Sequence, residues 1–247
     1  MASLSAKSAV VIGGSSGVGE ATVRALICEG VRVTAVARGA DKLRAIKLNA
    51  GGELSTLQGD GTDPAFVERL LRERKPDLVV LTAGVTPRMG PVDEFDWQSF
   101  SEPWNADVKS TFLLLKQTLA LPLSPGSTVV IVSSGAAMDG SPLSGGYAGA
   151  KRMQWFLADY AQKVSDAKKL GIRFLAVLPR PIEGTTIGGL AAEAYSAAKG
   201  ITSEAYMKRV GVPLDKVALA ILTALGGGVP AEACAIAVTG AGIEPLT

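Results

Sequence analysis

Seven short strand-like runs alternate with helix-like stretches along this chain, and no hairpin signal separates any two of them. The runs are residues 8–12, 31–37, 53–58, 78–81, 128–132, 172–178 and 234–238. Strands joined through helices pair in parallel, because each crossover carries the chain back over one face of the sheet. The pattern predicts a doubly wound α/β fold of about seven parallel strands with helices on both faces. At 247 residues, with no repeat or low-complexity linker, residues 1–247 are expected to form a single domain.

The first strand runs straight into Gly13-Gly14-Ser15-Ser16-Gly17-Val18-Gly19, and a helical stretch follows through Cys28. Glycines let backbone turn tightly and approach a diphosphate, while a helix N-terminus offers free N–H groups and partial positive charge. The spacing Gly-x-x-x-Gly-x-Gly is looser than the dinucleotide fingerprint, but it occupies the first βα turn of a Rossmann-type pattern. Arg38 ends the second run. An acid there would bind two ribose hydroxyls, whereas an arginine accommodates a 2′-phosphate, so Ala37-Arg38 points to NADP in preference to NAD. Asp60-Gly61 follows the third run, where a carboxylate can reach an adenine amino group. Asp63 before Pro64 reads as a helix start. Ala83-Gly84 follows the fourth run and is small enough for a ribose to pack on backbone.

Composition removes whole classes of chemistry. There is no histidine, so a Ser-His-Asp triad and an HExxH zinc site are excluded, and no metal site is expected. Lys and Arg total 25 against 23 Asp and Glu, with no block of one sign, which implies neither nucleic acid nor an anionic membrane as partner. Cys28 and Cys234 lack CxxC spacing and read as reduced core residues. No signal peptide or membrane span is evident, so a cytoplasmic protein acting on a small molecule is expected.

Any proton must then move through Tyr, Lys, Asp, Glu or water. Tyr147 and Lys151 are four apart on a predicted helix and share a face. A free phenol has a pKa of about 10, and a cation within reach favours the phenolate. Ser134 follows the fifth run, at the carboxyl end where sites form in open α/β sheets. The same helix is read with an apolar face through Phe156, Leu157 and Tyr160. Arg88 and Met89, in the polar loop 85–95, are placed at a substrate entrance. Residues 183–212, rich in Gly, Ala and Thr, read as a mobile lid.

Taken together, Gly13-x-x-x-Gly17-x-Gly19, Asp60, Ala83-Gly84, Ser134, Tyr147-x-x-x-Lys151 and the turn at Pro179 resemble the short-chain dehydrogenase/reductase family over nearly the whole chain. The resemblance implies that Tyr147 exchanges a proton with the substrate oxygen and that Ser134 positions that oxygen. Lys151 would hold the nicotinamide ribose and lower the Tyr147 pKa. Pro179, Ile182 and Thr185 would contact the nicotinamide end, and Ser15, Ser16, Val18 and Gly61 would complete the cofactor site. The implied activity is NADP(H)-dependent interconversion of a carbonyl and a secondary alcohol. A homodimer or homotetramer through the helices around 105–120 and 147–165 is implied as well.

Four positions depart from the family pattern: Ile12, Leu81-Thr82, Arg180, and Asp107 where the family has a catalytic Asn. Asp107 is expected to keep a water relay through its main-chain carbonyl, to pair with Lys151, and to disfavour the Tyr147 phenolate. Arg180 with Arg88 suggests an anionic or polar substrate. Asp107 and Arg180 also motivate an alternative, a catalytically impaired NADP-binding sensor on the same fold. The substrate itself stays open.

Overall fold

The computed structural model describes residues 3–49 and 52–247. The expected order of elements is present. Strands β1 (Ser8–Ile12), β2 (Arg32–Ala37), β3 (Leu54–Gln58) and β4 (Leu78–Leu81) alternate with helices α1 (Gly17–Cys28), α2 (Ala40–Asn49) and α3 (Pro64–Arg74). Helix α4 (Trp97–Pro103), a π-helical turn (Trp104–Val108) and α5 (Lys109–Ala120) lead to β5 (Thr128–Val132). The short α6 (Ala136–Asp139) and the long α7 (Tyr147–Ala167) precede β6 (Arg173–Pro179). Helices α8 (Thr186–Lys199), α9 (Ser203–Val210) and α10 (Leu214–Leu225) precede β7 (Ala235–Thr239) and β8 (Gly242–Leu246).

The sheet order is β3-β2-β1-β4-β5-β6-β7-β8, parallel from β3 through β7. Chain direction across the sheet reverses between β1 and β4, which opens a crevice at their carboxyl ends. The central strands β1, β4, β5 and β6 are covered on both sides, so they read as largely apolar runs. Along β5, Val130 and Val132 face the layer of α1 and α10, while Val129 and Ile131 face the layer of α3, α5 and α7. Fully buried Leu26, Leu114, Phe174 and Ile221 fill the two layers, each contributing about 1.5–3 kcal/mol relative to exposure. The start predicted at Asp63 is a true N-cap, its carboxylate accepting from the Ala65 N–H at 3.0 Å with Pro64 in the first turn.

Several local expectations are corrected. The sheet has eight strands: β8 returns antiparallel to β7 through a turn at Gly240-Ala241, a hairpin whose turn residues carry no Asn-Gly or Asp-Gly signal. Pro245 is tolerated there because β8 is an edge strand. On α7, Phe156 and Tyr160 stack on each other and point outward; the buried face is Tyr147, Ala150, Lys151, Gln154, Ala158, Ala161 and Ser165. Cys28 is exposed on α1, and Cys234 is partly buried with the Trp155 indole N–H donating to its sulfur at 3.3 Å. Residues 183–212, the expected lid, are mostly α8, whose alanines favour helix, and α9. The two helices meet through stacked rings of Tyr195 and Tyr206, 6.0 Å between centroids. No helix among the described residues is long and apolar enough to cross a membrane.

Candidate active site

A cleft of about 970 Å³ runs along the carboxyl ends of the strands. Its first wall is the turn after β1. Gly13 has φ +93°, and a Cβ there would come within 2.5 Å of the Ala83 nitrogen; a Cβ on Gly19 would run into the Gly13 carbonyl. These positions are bare because the turn, α1 and the β4 exit close on one another. Ser16 at the start of α1 makes no side-chain cap, and N–H groups at such a helix start suit an anion. Gly13, Ser15, Ser16, Gly17, Val18 and Gly19 all line the cleft. This cradle of backbone donors fits the diphosphate of a dinucleotide.

Arg38 lies farther along the same wall, and Lys42 from α2 lines it too. Lys42 was not predicted, since the sequence shows nothing to bring the first turn of α2 back toward the end of β2. Asp60, Gly61, Ala83 and Gly84 line the next stretch. Asp60 is partly occupied locally: its Oδ1 accepts from the Thr62 N–H at 2.8 Å and the Thr62 hydroxyl at 2.9 Å. The bond from the Thr62 backbone holds the Asp60 carboxyl below its ordinary pKa against the opposing effect of burial.

Ser134, Tyr147 and Lys151 line the middle of the cleft. Ser134 sits two residues beyond β5, where its hydroxyl accepts from the Ala136 N–H at 3.2 Å. Tyr147 opens α7, and Lys151 Nζ lies one turn on, 5.4 Å from the Tyr147 ring centroid. The Ser133 hydroxyl donates to the Lys151 carbonyl at 2.7 Å, tying α7 to the end of β5. Pro179, Ile182 and Thr185 also line the cleft, and Thr185 caps α8 by accepting from the Gly188 N–H at 3.1 Å.

Behind Lys151 stands Asp107, wholly buried in the π-helical turn. Its Oδ1 accepts from the Val85 N–H at 2.9 Å, and its Oδ2 forms an ion pair with Lys151 Nζ at 3.0 Å without an aligned hydrogen bond. Gly84 packs against this carboxylate, with room for no Cβ beyond 2.9 Å of Oδ2. Burial pulls the Lys151 pKa down, but Asp107 and Tyr147 more than offset it, and the net shift is upward. The expected relay runs through the Asp107 carbonyl. That oxygen already accepts from the Ser110 hydroxyl at 3.1 Å, the Thr111 hydroxyl at 2.8 Å and Gln154 Nε2 at 3.2 Å. Gln154 went unpredicted, although it lies seven residues after Tyr147 on the same helix face.

At the far end, Met89, Ala191, Tyr195 and Tyr206 line the cleft. The Tyr195 hydroxyl pairs with the Ser141 hydroxyl at 2.6 Å and accepts from the Leu143 N–H at 3.2 Å, tying α8 to the loop before Tyr147. Arg88 is not among the lining residues; its guanidinium covers the Phe95 ring, 5.2 Å from the centroid. Arg180 lines the cleft but is paired with Asp139 at 3.1 Å. No cluster of potential metal ligands occurs among the described residues.

Comparison with known proteins identifies the family. The family model described as short chain dehydrogenase matches residues 7–196. A 2,5-dichloro-2,5-cyclohexadiene-1,4-diol dehydrogenase from Sphingobium indicum is 28% identical over 186 residues, covering 72% of this chain and 74% of the relative. A cis-4-hydroxycyclohexanecarboxylate dehydrogenase from Sinomonas cyclohexanicum is 30% identical over 193 residues, covering 75% and 77%. The crystal structure of levodione reductase superposes with a TM-score of 0.83 at 22% identity, covering 96% of this chain and 97% of that one. Actinorhodin polyketide ketoreductase with NADPH gives 0.78 at 24%, covering 92% and 93%; these two likenesses concern the fold. With the fold, the glycine cradle and the family match in agreement, the chain belongs to the short-chain dehydrogenases and is an oxidoreductase of the nicotinamide-dependent kind.

Proposed function

We propose that this protein is an NADP(H)-dependent oxidoreductase that interconverts a carbonyl and a secondary alcohol, with Tyr147 as general acid and base. The observation that carries the reading is the placement of Tyr147 and its charged neighbour Lys151 on the wall of the cleft that begins at the glycine cradle. A nicotinamide dinucleotide bound in that cleft supplies or takes the hydride. In reduction, Tyr147 gives its phenolic proton to the carbonyl oxygen as the C=O double bond becomes a C–O single bond. The phenolate left behind is offset by the Lys151 cation. Ser134 orients the substrate oxygen by hydrogen bonding, and Ile182 and Thr185 hold the nicotinamide end. Oxidation runs the same proton in reverse.

Arg38 and Lys42, with no acid at the end of β2, favour a 2′-phosphate and hence NADP over NAD. The two relatives described above act, by their names, on hydroxyls of six-membered carbocycles. The apolar and aromatic far end, with Met89, Ala191 and the stacked Tyr195 and Tyr206, suits such a ring, so a cyclic alcohol or ketone is the substrate class we favour. An anionic substrate gains no support from Arg88 or from Arg180, which has an acidic partner already. That pairing also removes one motive for the sensor alternative. The exposed Phe112, Phe156 and Tyr160 on the outer faces of α5 and α7 support self-association through those helices, and the cytoplasm suits the free cysteines.

The test is NADPH oxidation with a panel of cyclic and open-chain ketones, run beside NADH and with Tyr147→Phe as control. Turnover that prefers NADPH and falls by a factor on the order of a thousand or more in the variant is the expected result. Equal turnover by Tyr147→Phe would remove Tyr147 from the chemistry, and a preference for NADH would overturn the cofactor assignment.

A further inference from the structure

We infer that Gln154 is a positioning residue that, with Asp107, clamps Lys151 from behind, and that the Asp107 charge weakens the pull of Lys151 on the proton of Tyr147. The inference rests on Tyr147 being the proton-transfer group. An ammonium has three donors. One goes to Gln154 Oε1 at 2.9 Å, and the Asp107 Oδ2 charge lies 3.0 Å from the same nitrogen.

The glutamine is itself fixed. Its Nε2 donates to the Thr111 hydroxyl at 2.7 Å and to the Asp107 carbonyl at 3.2 Å. Turning the amide over would aim N–H groups at an ammonium and oxygen at a carbonyl, so the network permits one orientation. Lys151, Asp107, Gln154 and Thr111 are all buried, and the pair therefore interacts in a weakly screened interior. Gln154 contributes a neutral acceptor and a fixed position; Asp107 contributes a full negative charge. The two halves of the clamp are separable by experiment.

Among the described residues no other charge competes at this spot. From α7, Arg152 turns onto the Trp155 and Phe156 rings and donates to the Ala137 carbonyl. From the π-helical turn and α5, Lys109 is exposed and acts on Asp60. The β4 exit contributes the Val85 N–H, and the end of β5 contributes Ser133 and Ser134, all uncharged. Asp139 of α6 and Arg180 after β6 pair with each other. Tyr195 and Tyr206 face the cleft from α8 and α9.

Oxidation needs Tyr147 without its proton, so its rate rises with pH. A buried negative charge behind Lys151 opposes the negative charge formed on the phenol, so removing it is expected to move that rise down. The experiment is the pH profile of alcohol oxidation for the unaltered protein, Asp107→Asn, Asp107→Ala and Gln154→Leu, with thermal unfolding of each. Phenolate absorbance of the ligand-free proteins, taken as the difference from the same background with Tyr147→Phe, gives a readout independent of turnover. Either Asp107 variant should move both the rising limb and the absorbance titration down by about one pH unit. Gln154→Leu should lower kcat several-fold and leave the limb in place, because it removes no charge.

An unmoved limb in a folded Asp107 variant overturns the charge assignment, and so does an equal shift in Gln154→Leu. An unchanged kcat in Gln154→Leu overturns its positioning role. Should Asp107→Asn fail to fold, Asp107→Ala and Gln154→Leu decide the matter on the same readouts. A wrong reading of Tyr147 itself would show differently, as turnover that survives Tyr147→Phe.

Discussion

The two ends of the cleft are made of different material. The end beside β1 is backbone: Gly13, Gly17 and Gly19 leave it bare of side chains, and a carbon added at Gly13 or Gly19 meets amide or carbonyl atoms. The far end is side chain: Tyr195, Tyr206 and Met89 arrive from α8, α9 and a loop that are distant in sequence. A surface made by omitting side chains serves any ligand with the same phosphate geometry. A surface made by side chains changes with each substitution, and this is where one member of a family can differ from another in substrate.

The largest effect is expected from Gly19→Ala, because its new carbon collides with the rigid Gly13 carbonyl at the centre of the cradle. Dinucleotide affinity should fall on the order of a hundredfold, about 2.7 kcal/mol, in a fluorescence titration. Retained affinity would show that the turn yields, and the contrast between the two ends would fail.

A smaller change is expected at the opposite ends of the same strands. Asp77 Oδ2 accepts from both the Ser8 N–H and the Ser8 hydroxyl at 2.8 Å, joining the starts of β1 and β4. Burial raises the Asp77 pKa, but the Ser8 donors outweigh it and the net shift is downward. A carboxyl depressed in the folded state stabilises above its unfolded pKa and loses that contribution as pH falls through the folded value. Asp77→Asn should therefore cost about 1 kcal/mol at neutral pH, allowing for solvent screening. The difference should shrink below about pH 4 in denaturant unfolding, while dinucleotide affinity is unchanged. Altered affinity would mean the cradle senses strand ends remote from it.

The smallest is expected from Tyr195→Phe, which removes the hydroxyl holding α8 to Ser141 and Leu143 but keeps the ring stack. KM for the carbonyl substrate should rise about two- to fivefold with dinucleotide affinity unchanged, consistent with loss of a part-buried hydrogen bond. A KM that does not move would take Tyr195 out of the substrate end.

What could be read from sequence follows the same division. The parallel sheet was visible because strands buried on both faces are apolar along their length, as Leu78–Leu81 and residues 129–132 are. The cradle was visible because glycines at Gly13, Gly17 and Gly19 have a local steric reason. The hairpin to β8 was not, since Gly240-Ala241 resembles any loop and Pro245 argues against a central strand. The outward turn of Phe156 and Tyr160 was missed because hydrophobicity alone does not say which aromatic positions are covered by the same chain. Gln154 had a periodic signal, but its role depends on Asp107 and Thr111, more than 40 residues away in the chain.

The π-helical turn at Trp104–Val108 adds one residue to the winding between α4 and α5. One residue is about 100° of rotation, so everything after the turn is out of phase with everything before it. Trp104 can thereby donate to the Gly146 carbonyl at 3.1 Å while Asp107, three residues later, points into the interior at Lys151. Deleting a single residue here would not merely shorten a helix. It would rotate the exposed Phe112 and the buried Leu113 and Leu114 out of their present sectors, so the sheet-facing stripe of α5 and the acid behind the lysine share one phase angle and can only be changed together.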